Sequence, residues 1–214
     1  MELTGKKINF LGDSITEGGI VTAPEKMFVE VMKRNCGLAA ARNYGISGTR
    51  IALQHTPSYD LSFDRHFSSR SCEMNPDADI IVVFGGTNDY GHGDAPLGSP
   101  ADRTADTFWG ACHELFSLLP RQFPEAKIVI LTPLHRANET TPINAVGTVL
   151  PDYVTILRET AAQYGYPLLD LFETSAIQAQ IPELAEKYTT DGLHPNDLGH
   201  AVLAAEITAF LEKL

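Results

Sequence analysis

Ile80-Ile81-Val82-Val83-Phe84 runs directly into Gly85-Gly86-Thr87-Asn88-Asp89. An apolar run without polar alternation is expected of a strand whose two faces are both covered by helices, as in a parallel sheet, and the glycine-opened turn then lies at that strand's carboxyl end. Comparable runs occur at Ile8 to Leu11, Ile128 to Leu131 and Leu168 to Leu171, with a weaker one at Ala40 to Tyr44. Helical spacing fills the intervals. Phe28, Val31 and Met32 share a face after Pro24-Glu25, and Phe108, Cys112, Leu115, Phe116 and Leu119 recur within Thr107 to Gln122. Val154, Leu157 and Ala161 precede Gly165, while Leu198, Val202, Ala205 and Ala209 follow Asn196, which has the chemistry of an N-cap. Strands alternating with helical crossovers predict an α/β fold: a three-layer α/β/α sandwich of flavodoxin-like type, with a central parallel sheet of about five strands. No repeat or linker interrupts the chain, so residues 1–214 are expected to form a single domain. Ala52 to Pro76, Gly91 to Asp106 and Pro133 to Leu150 are rich in Gly, Pro, Ser, Thr or His and read as site-forming loops beyond the strand ends.

Composition narrows the function classes. Hydrophobic residues make up 43% of the chain, too many for a disordered protein. Sixteen basic against 27 acidic side chains leave a net charge of −11, and no basic run exceeds Lys6-Lys7, which argues against nucleic-acid and anionic-membrane partners. Cys36, Cys72 and Cys112 are odd in number and widely spaced, so neither a disulfide framework nor a CxxC site is expected; they read as buried free thiols. The amino terminus passes into a strand-like run without the apolar core of a signal peptide, and no apolar run is long enough to cross a bilayer, so a cytoplasmic protein without membrane insertion is expected.

Four turns carry chemistry. Gly12-Asp13-Ser14-Ile15-Thr16 follows the first strand and would expose Ser14 as a nucleophile; alternatively, Asp13 and Ser14 merely satisfy local backbone donors. Asp191-Gly192-Leu193-His194-Pro195 can set a carboxylate against Nδ1 of an imidazole whose Nε2 faces outward, or it is a common Asp-Gly turn with a solvated histidine. In Gly85 to Asp89, the Asn88 side chain could offer a neutral N–H to a developing oxyanion, or Asn88 could occupy a left-handed turn. Asn43-Tyr44-Gly45-Ile46-Ser47-Gly48-Thr49 supplies a glycine whose N–H can approach a ligand closely.

In this order, GDSIT with Ser14, NYGISG with Gly48, GGTND with Asn88 and DGLHP with Asp191 and His194 resemble the SGNH hydrolases, a branch of the GDSL esterase and lipase superfamily. The blocks spread over residues 12 to 195, and Ile15 replaces the leucine of the eponymous motif. The resemblance implies a Ser14-His194-Asp191 triad on a flavodoxin-like sheet. It also implies an oxyanion hole made of the Ser14 and Gly48 N–H groups and the Asn88 side chain, with Gly48 rather than Gly45 at the family's position. No cofactor and no metal is implied.

The expected activity is serine-dependent hydrolysis of short-chain acyl esters, acetyl first, on a small-molecule substrate such as an O-acetylated carbohydrate. The chain has no lid-like insertion, which disfavours a true lipase; lysophospholipase or thioesterase action is the alternative. A metal-dependent phosphoesterase using Asp13, Asn88, Asp89 and His194 is a more distant reading, and a non-catalytic flavodoxin-like module would leave the four turns unexplained. His92 and His135, in loops expected to border the cleft, are candidate substrate contacts. Arg50 is expected to pair with a surface carboxylate, His113 and His200 to be structural or solvated helix residues, and Asp89 to orient Asn88 or cap a turn.

Overall fold

The computed structural model describes residues 1–214. Strands β1 (Lys7–Gly12), β2 (Ala40–Gly45), β3 (Ile80–Phe84), β4 (Lys127–Leu131) and β5 (Leu168–Leu169) form one sheet in the order β2-β1-β3-β4-β5, all neighbours parallel. The helices are α1 (Ser14–Glu17), α2 (Phe28–Asn35), α3 (Phe67–Ser71), α4 (Thr87–His92), α5 (Phe108–Gln122), α6 (Leu150–Tyr164), α7 (Leu171–Thr174), α8 (Pro182–Tyr188) and α9 (Asp197–Glu212).

Alternate strand residues feed two separate cores. Leu11, Ile81, Val83, Ile128 and Ile130 pack with α3, α5 and α6, whereas Ile8, Phe10, Ile80, Val82, Phe84, Val129 and Leu131 pack with α2 and α9. This is the three-layer α/β/α sandwich. No helix is long and apolar enough to cross a membrane. Register then levels the strand ends: Gly12 pairs with both Gly45 and Phe84, and Phe84 with Leu131. Residues following β1, β2 and β3 therefore emerge side by side at one rim, where the strand order changes direction between β1 and β3 and where ligands bind in such sheets.

Local chemistry explains most boundaries. Thr107 caps α5 by accepting the Gly110 N–H, Asn196 caps α9 by accepting the Leu198 and Gly199 N–H groups, and α6 stops at Gly165. Four sequence expectations are corrected. The run Leu168 to Leu171 is a strand only to Leu169, because Asp170 accepts the Glu173 N–H and opens α7, burying Leu171 from a helix. The Thr87-Asn88-Asp89 turn is the start of α4, so Asn88 is helical and not left-handed. On α9 the core face is His200, Leu203, Ala204, Ile207 and Leu211, while Leu198, Ala205 and Ala209 point outward. Of the three free cysteines only Cys112 is buried; Cys36 is half-buried and Cys72, just past α3, is exposed.

Candidate active site

Ser14 is the first residue of α1, one residue beyond the Asp13 cap, whose carboxylate accepts the Ile15 N–H at 3.0 Å. Its Oγ lies 3.0 Å from His194 Nε2. The other ring nitrogen, Nδ1, is 2.7 Å from Asp191 Oδ2, and Asp191 Oδ1 accepts the N–H groups of Leu193 at 3.0 Å and His194 at 2.7 Å. The D-x-x-H turn thus folds back onto its own carboxylate, which orients the imidazole towards Ser14. Partial burial pushes the Asp191 carboxyl up, but the hydrogen bonds from the His194 backbone and ring, the imidazole charge and the Leu193 N–H outweigh it and hold its pKa below the ordinary value.

The second strand end brings Gly48 alongside. Gly48 adopts φ +72°, and a Cβ there would stand 2.4 Å from the Phe63 ring, so both backbone and space require glycine. Glu17 of α1 accepts the Ser47 N–H at 2.8 Å and fixes this loop from the Ser14 side. The Gly48 and Ser14 N–H groups have no acceptor within the protein, and both residues line a cavity of about 420 Å³ with Asn88 and His194. Gly45 serves the loop instead, since its N–H is taken by Asn43 Oδ1 at 2.8 Å, and a Cβ there would come within 2.1 Å of the Glu17 nitrogen.

From the third strand end, α4 holds the Gly48 loop with consecutive side chains. Asn88 Nδ2 donates to Thr49 O at 3.0 Å, which leaves its second hydrogen for the cavity. Asp89 makes no side-chain hydrogen bond to Asn88; its two oxygens accept the Ile51 and Ala52 N–H groups at 3.0 and 2.8 Å. Burial pushes the carboxyls of Asp13 and Asp89 up to about 6, against hydrogen bonds from those amides and nearby positive charge.

His92 lines the cavity, but both its ring nitrogens are engaged, by Arg50 and by Asn88. His135 does not line it: Nδ1 meets the buried Glu139 carboxylate at 2.8 Å and the ring packs against Phe172 at 3.9 Å. Arg50 pairs with Asp64 as expected, at 3.3 Å, yet it is 3% exposed and so buried under the loop instead of lying at the surface. His113 and His200 are both buried on helices.

Two buried arginines escaped sequence reasoning. Arg70 of α3 donates to the carbonyls of Gly12 and Tyr44 and to Thr49 Oγ1, clamping the ends of β1 and β2; burial lowers its pKa to about 10, while the Asp13 charge opposes the shift. Arg136 donates to Thr87 O at 3.1 Å, and the neighbouring Ala137 N–H donates to Gly192 O at 2.9 Å, so one loop braces both α4 and the histidine turn. Neither had a local signal, since their partners are carbonyls remote in sequence. The four metal-donor candidates, Asp13, Asn88, Asp89 and His194, are turned to separate backbone and side-chain partners, and no three His, Cys, Asp or Glu side chains converge on a point.

A model of the GDSL-like lipase/acylhydrolase family matches residues 10–202, from β1 through the histidine turn and into α9. The chain belongs to this family. As a GDSL-like acylhydrolase it acts on esters. It is 28% identical over 217 residues to an isoamyl acetate-hydrolyzing esterase of Schizosaccharomyces pombe, covering 97% of this chain and 75% of that protein. A crystal structure from Lactobacillus plantarum superimposes with a TM-score of 0.85 at 30% identity, covering 98% of both chains. A possible lipase from Chitinophaga pinensis shares the GDSL-like fold with a TM-score of 0.71 at 20% identity, covering 97% of this chain and 98% of the other.

Proposed function

We propose that Ser14, His194 and Asp191 form the catalytic triad of a serine esterase specific for short-chain acyl esters, acetyl esters above all. The observation that carries this reading is the unbroken line from Asp191 Oδ2 through His194, 2.7 Å on one side and 3.0 Å on the other, to Ser14 Oγ. His194 Nε2 takes the Ser14 proton as the hydroxyl oxygen attacks the ester carbonyl, and the electron pair of the C=O bond moves onto oxygen. The Ser14 and Gly48 N–H groups and the free Asn88 hydrogen receive that oxyanion. Collapse breaks the bond to the alcohol oxygen, which takes the proton from His194 and leaves an acyl-Ser14 ester. Water, deprotonated by His194, repeats the sequence and releases the acid. Asp191, held below the ordinary carboxylate range, stays anionic and stabilises the imidazolium.

Two features support a small acyl group. The cavity is bounded on its glycine side by Ser47, Gly48 and the Phe63 ring, and only three of its ten lining residues are hydrophobic, too few for a long acyl chain. The Schizosaccharomyces pombe relative is named for an acetate ester. On the alcohol side, the polar loops suit an O-acetylated carbohydrate, whereas Ile20 and Leu193 in the cavity wall favour a short alkyl alcohol such as isoamyl alcohol as a second reading.

The test compares p-nitrophenyl acetate with p-nitrophenyl octanoate, and isoamyl acetate with an acetylated xyloside, for wild type and Ser14→Ala, with and without EDTA. Acetate-preferring turnover that vanishes in Ser14→Ala and survives EDTA is expected, with the two natural-type acetates deciding the alcohol. Octanoate preference would redirect the substrate to lipids, and turnover persisting in Ser14→Ala would end the triad reading.

A further inference from the structure

His92 stands between a buried cation and the amide assigned to the oxyanion. Arg50 Nη2 contacts His92 Nδ1, and His92 Nε2 lies 3.2 Å from Asn88 Oδ1. Arg50 is itself held by Asp64 Oδ1 and Phe63 O at 3.3 Å and by Ser58 Oγ at 3.0 Å. These contacts fix the tautomer. A guanidinium has only donors, so Nδ1 must present its lone pair to Arg50, and the ring hydrogen is left on Nε2, facing Asn88 Oδ1. Burial first, then the positive charges of Arg50 and Arg136, lower the His92 pKa to about 4, with its own backbone carbonyl and Asp64 acting the other way, so the ring stays neutral near pH 7.

An asparagine amide can face either way, and only one orientation serves an oxyanion. With Oδ1 receiving the His92 N–H, Nδ2 turns to Thr49 O and to the cavity. In the flipped orientation Oδ1 would meet the Thr49 carbonyl and Nδ2 would meet the His92 N–H, two repulsive contacts in a buried place. Donation into Oδ1 also polarises the amide and strengthens the opposite N–H as a donor.

We propose that His92 is a positioning residue for the acyl-transfer step, part of a relay from Arg50 through His92 to Asn88 that locks and polarises the amide facing the oxyanion. The proposal rests on the triad and oxyanion reading above. It gives His92 a role in kcat and not in substrate recognition, since neither ring nitrogen is free for a ligand.

The two amide substitutions separate this role from a structural one. In His92→Asn the side-chain oxygen can replace Nδ1 as the Arg50 acceptor, but nothing replaces the Nε2 donor; in His92→Gln the terminal amide nitrogen reaches the Nε2 position and the Arg50 acceptor is lost. The expected result with p-nitrophenyl acetate is a kcat about tenfold lower in His92→Asn with KM within about twofold, and a kcat within about threefold of wild type in His92→Gln, the scale of one hydrogen bond. A merely structural histidine would give the reverse order, with His92→Gln the more damaged in both melting temperature and rate. The double-mutant cycle completes the test. Asn88→Ala alone should lose about a hundred- to a thousandfold in kcat, and adding His92→Asn to it should cost nothing more. If Asn88→Ala turns over like wild type, the oxyanion reading falls and the relay with it. If Asn88→Ala is impaired while His92→Asn is fully active, or its loss adds to that of Asn88→Ala, only the relay falls.

Discussion

His200 shows how much a single side chain of this protein can carry outside the site. It is 2% exposed on the core face of α9, its Nδ1 accepts the Phe28 N–H at 3.2 Å, and its ring stacks on Phe28 with centroids 5.9 Å apart. Burial lowers its pKa to about 4, against the charge of Asp197. A histidine held below its unfolded value refuses a proton that the unfolded chain accepts, so its contribution to stability is complete above about pH 6.5 and is lost as the pH falls towards 4, a loss of at most about 3 kcal/mol. Asp13 and Asp89, raised to about 6, act with the opposite sign, binding protons more tightly in the fold over the window between about 6 and the ordinary aspartate value. Comparison with a variant isolates the histidine. In His200→Asn the side-chain oxygen can still accept the Phe28 N–H, so its urea midpoint should fall less than that of wild type between pH 7 and pH 4.5. Parallel pH profiles would show that His200 titrates normally in the fold. The residue types at Ser14, Asn88, Asp191 and His194 stood out in the sequence because each lies in a short glycine-containing motif, although Ser14 and Asn88 prove to lie in the first turns of α1 and α4. The partners of His92, Arg70 and Arg136 were not legible there, nor was the burial of the Arg50–Asp64 pair, because they are reached only through tertiary contacts.

Elements decide whether those turns meet. The amino-terminal turn of α4 uses Asn88 on Thr49 O and Asp89 on the Ile51 and Ala52 N–H groups, so one helix end holds the loop that carries Gly48. Asp89→Ala would leave two buried N–H groups without acceptors, at about 1–3 kcal/mol each, and should lower the unfolding free energy by about 2–6 kcal/mol in urea titration. Because the Gly48 N–H would lose its register with Ser14, kcat for p-nitrophenyl acetate should drop as well, measured well below the variant's melting temperature. An unchanged kcat would mean that the loop keeps its place by the Glu17 and Arg70 contacts alone. Element type was easiest to read where the pattern was strong, as in β3, where five consecutive apolar residues are all buried. It failed where the signal was two-sided. GGTND has turn-forming residues but leads into α4, and α9 carries apolar or small residues around most of its circumference, so its 3.6-residue period fits two faces and packing against the sheet and α2 selects one.

At the scale of the whole molecule, Ser14 and His194 are 180 residues apart and meet only when β1 and the turn before α9 are both docked. The loss of activity and the loss of the fold should therefore be one event. Trp109, the single tryptophan, is buried on α5 in the core on the other side of the sheet from α9, which makes its emission a reporter remote from the site. In a urea titration, esterase activity and Trp109 emission should change along superimposable curves; activity lost at clearly lower urea would reveal a site that opens before the sheet does. Sequence by itself determined the alternation of strands and helices, the parallel sheet and the rim at which four chemical turns emerge, because apolar runs, helical spacing and turn residues act over a few neighbouring positions. Tertiary structure alone decided which way the Asn88 amide faces, which side of α9 is buried and what the buried arginines hold. Each of those outcomes depends on a contact between segments tens of residues apart, where distance, burial and the supply of donors and acceptors select one arrangement from several that the local chain permits equally.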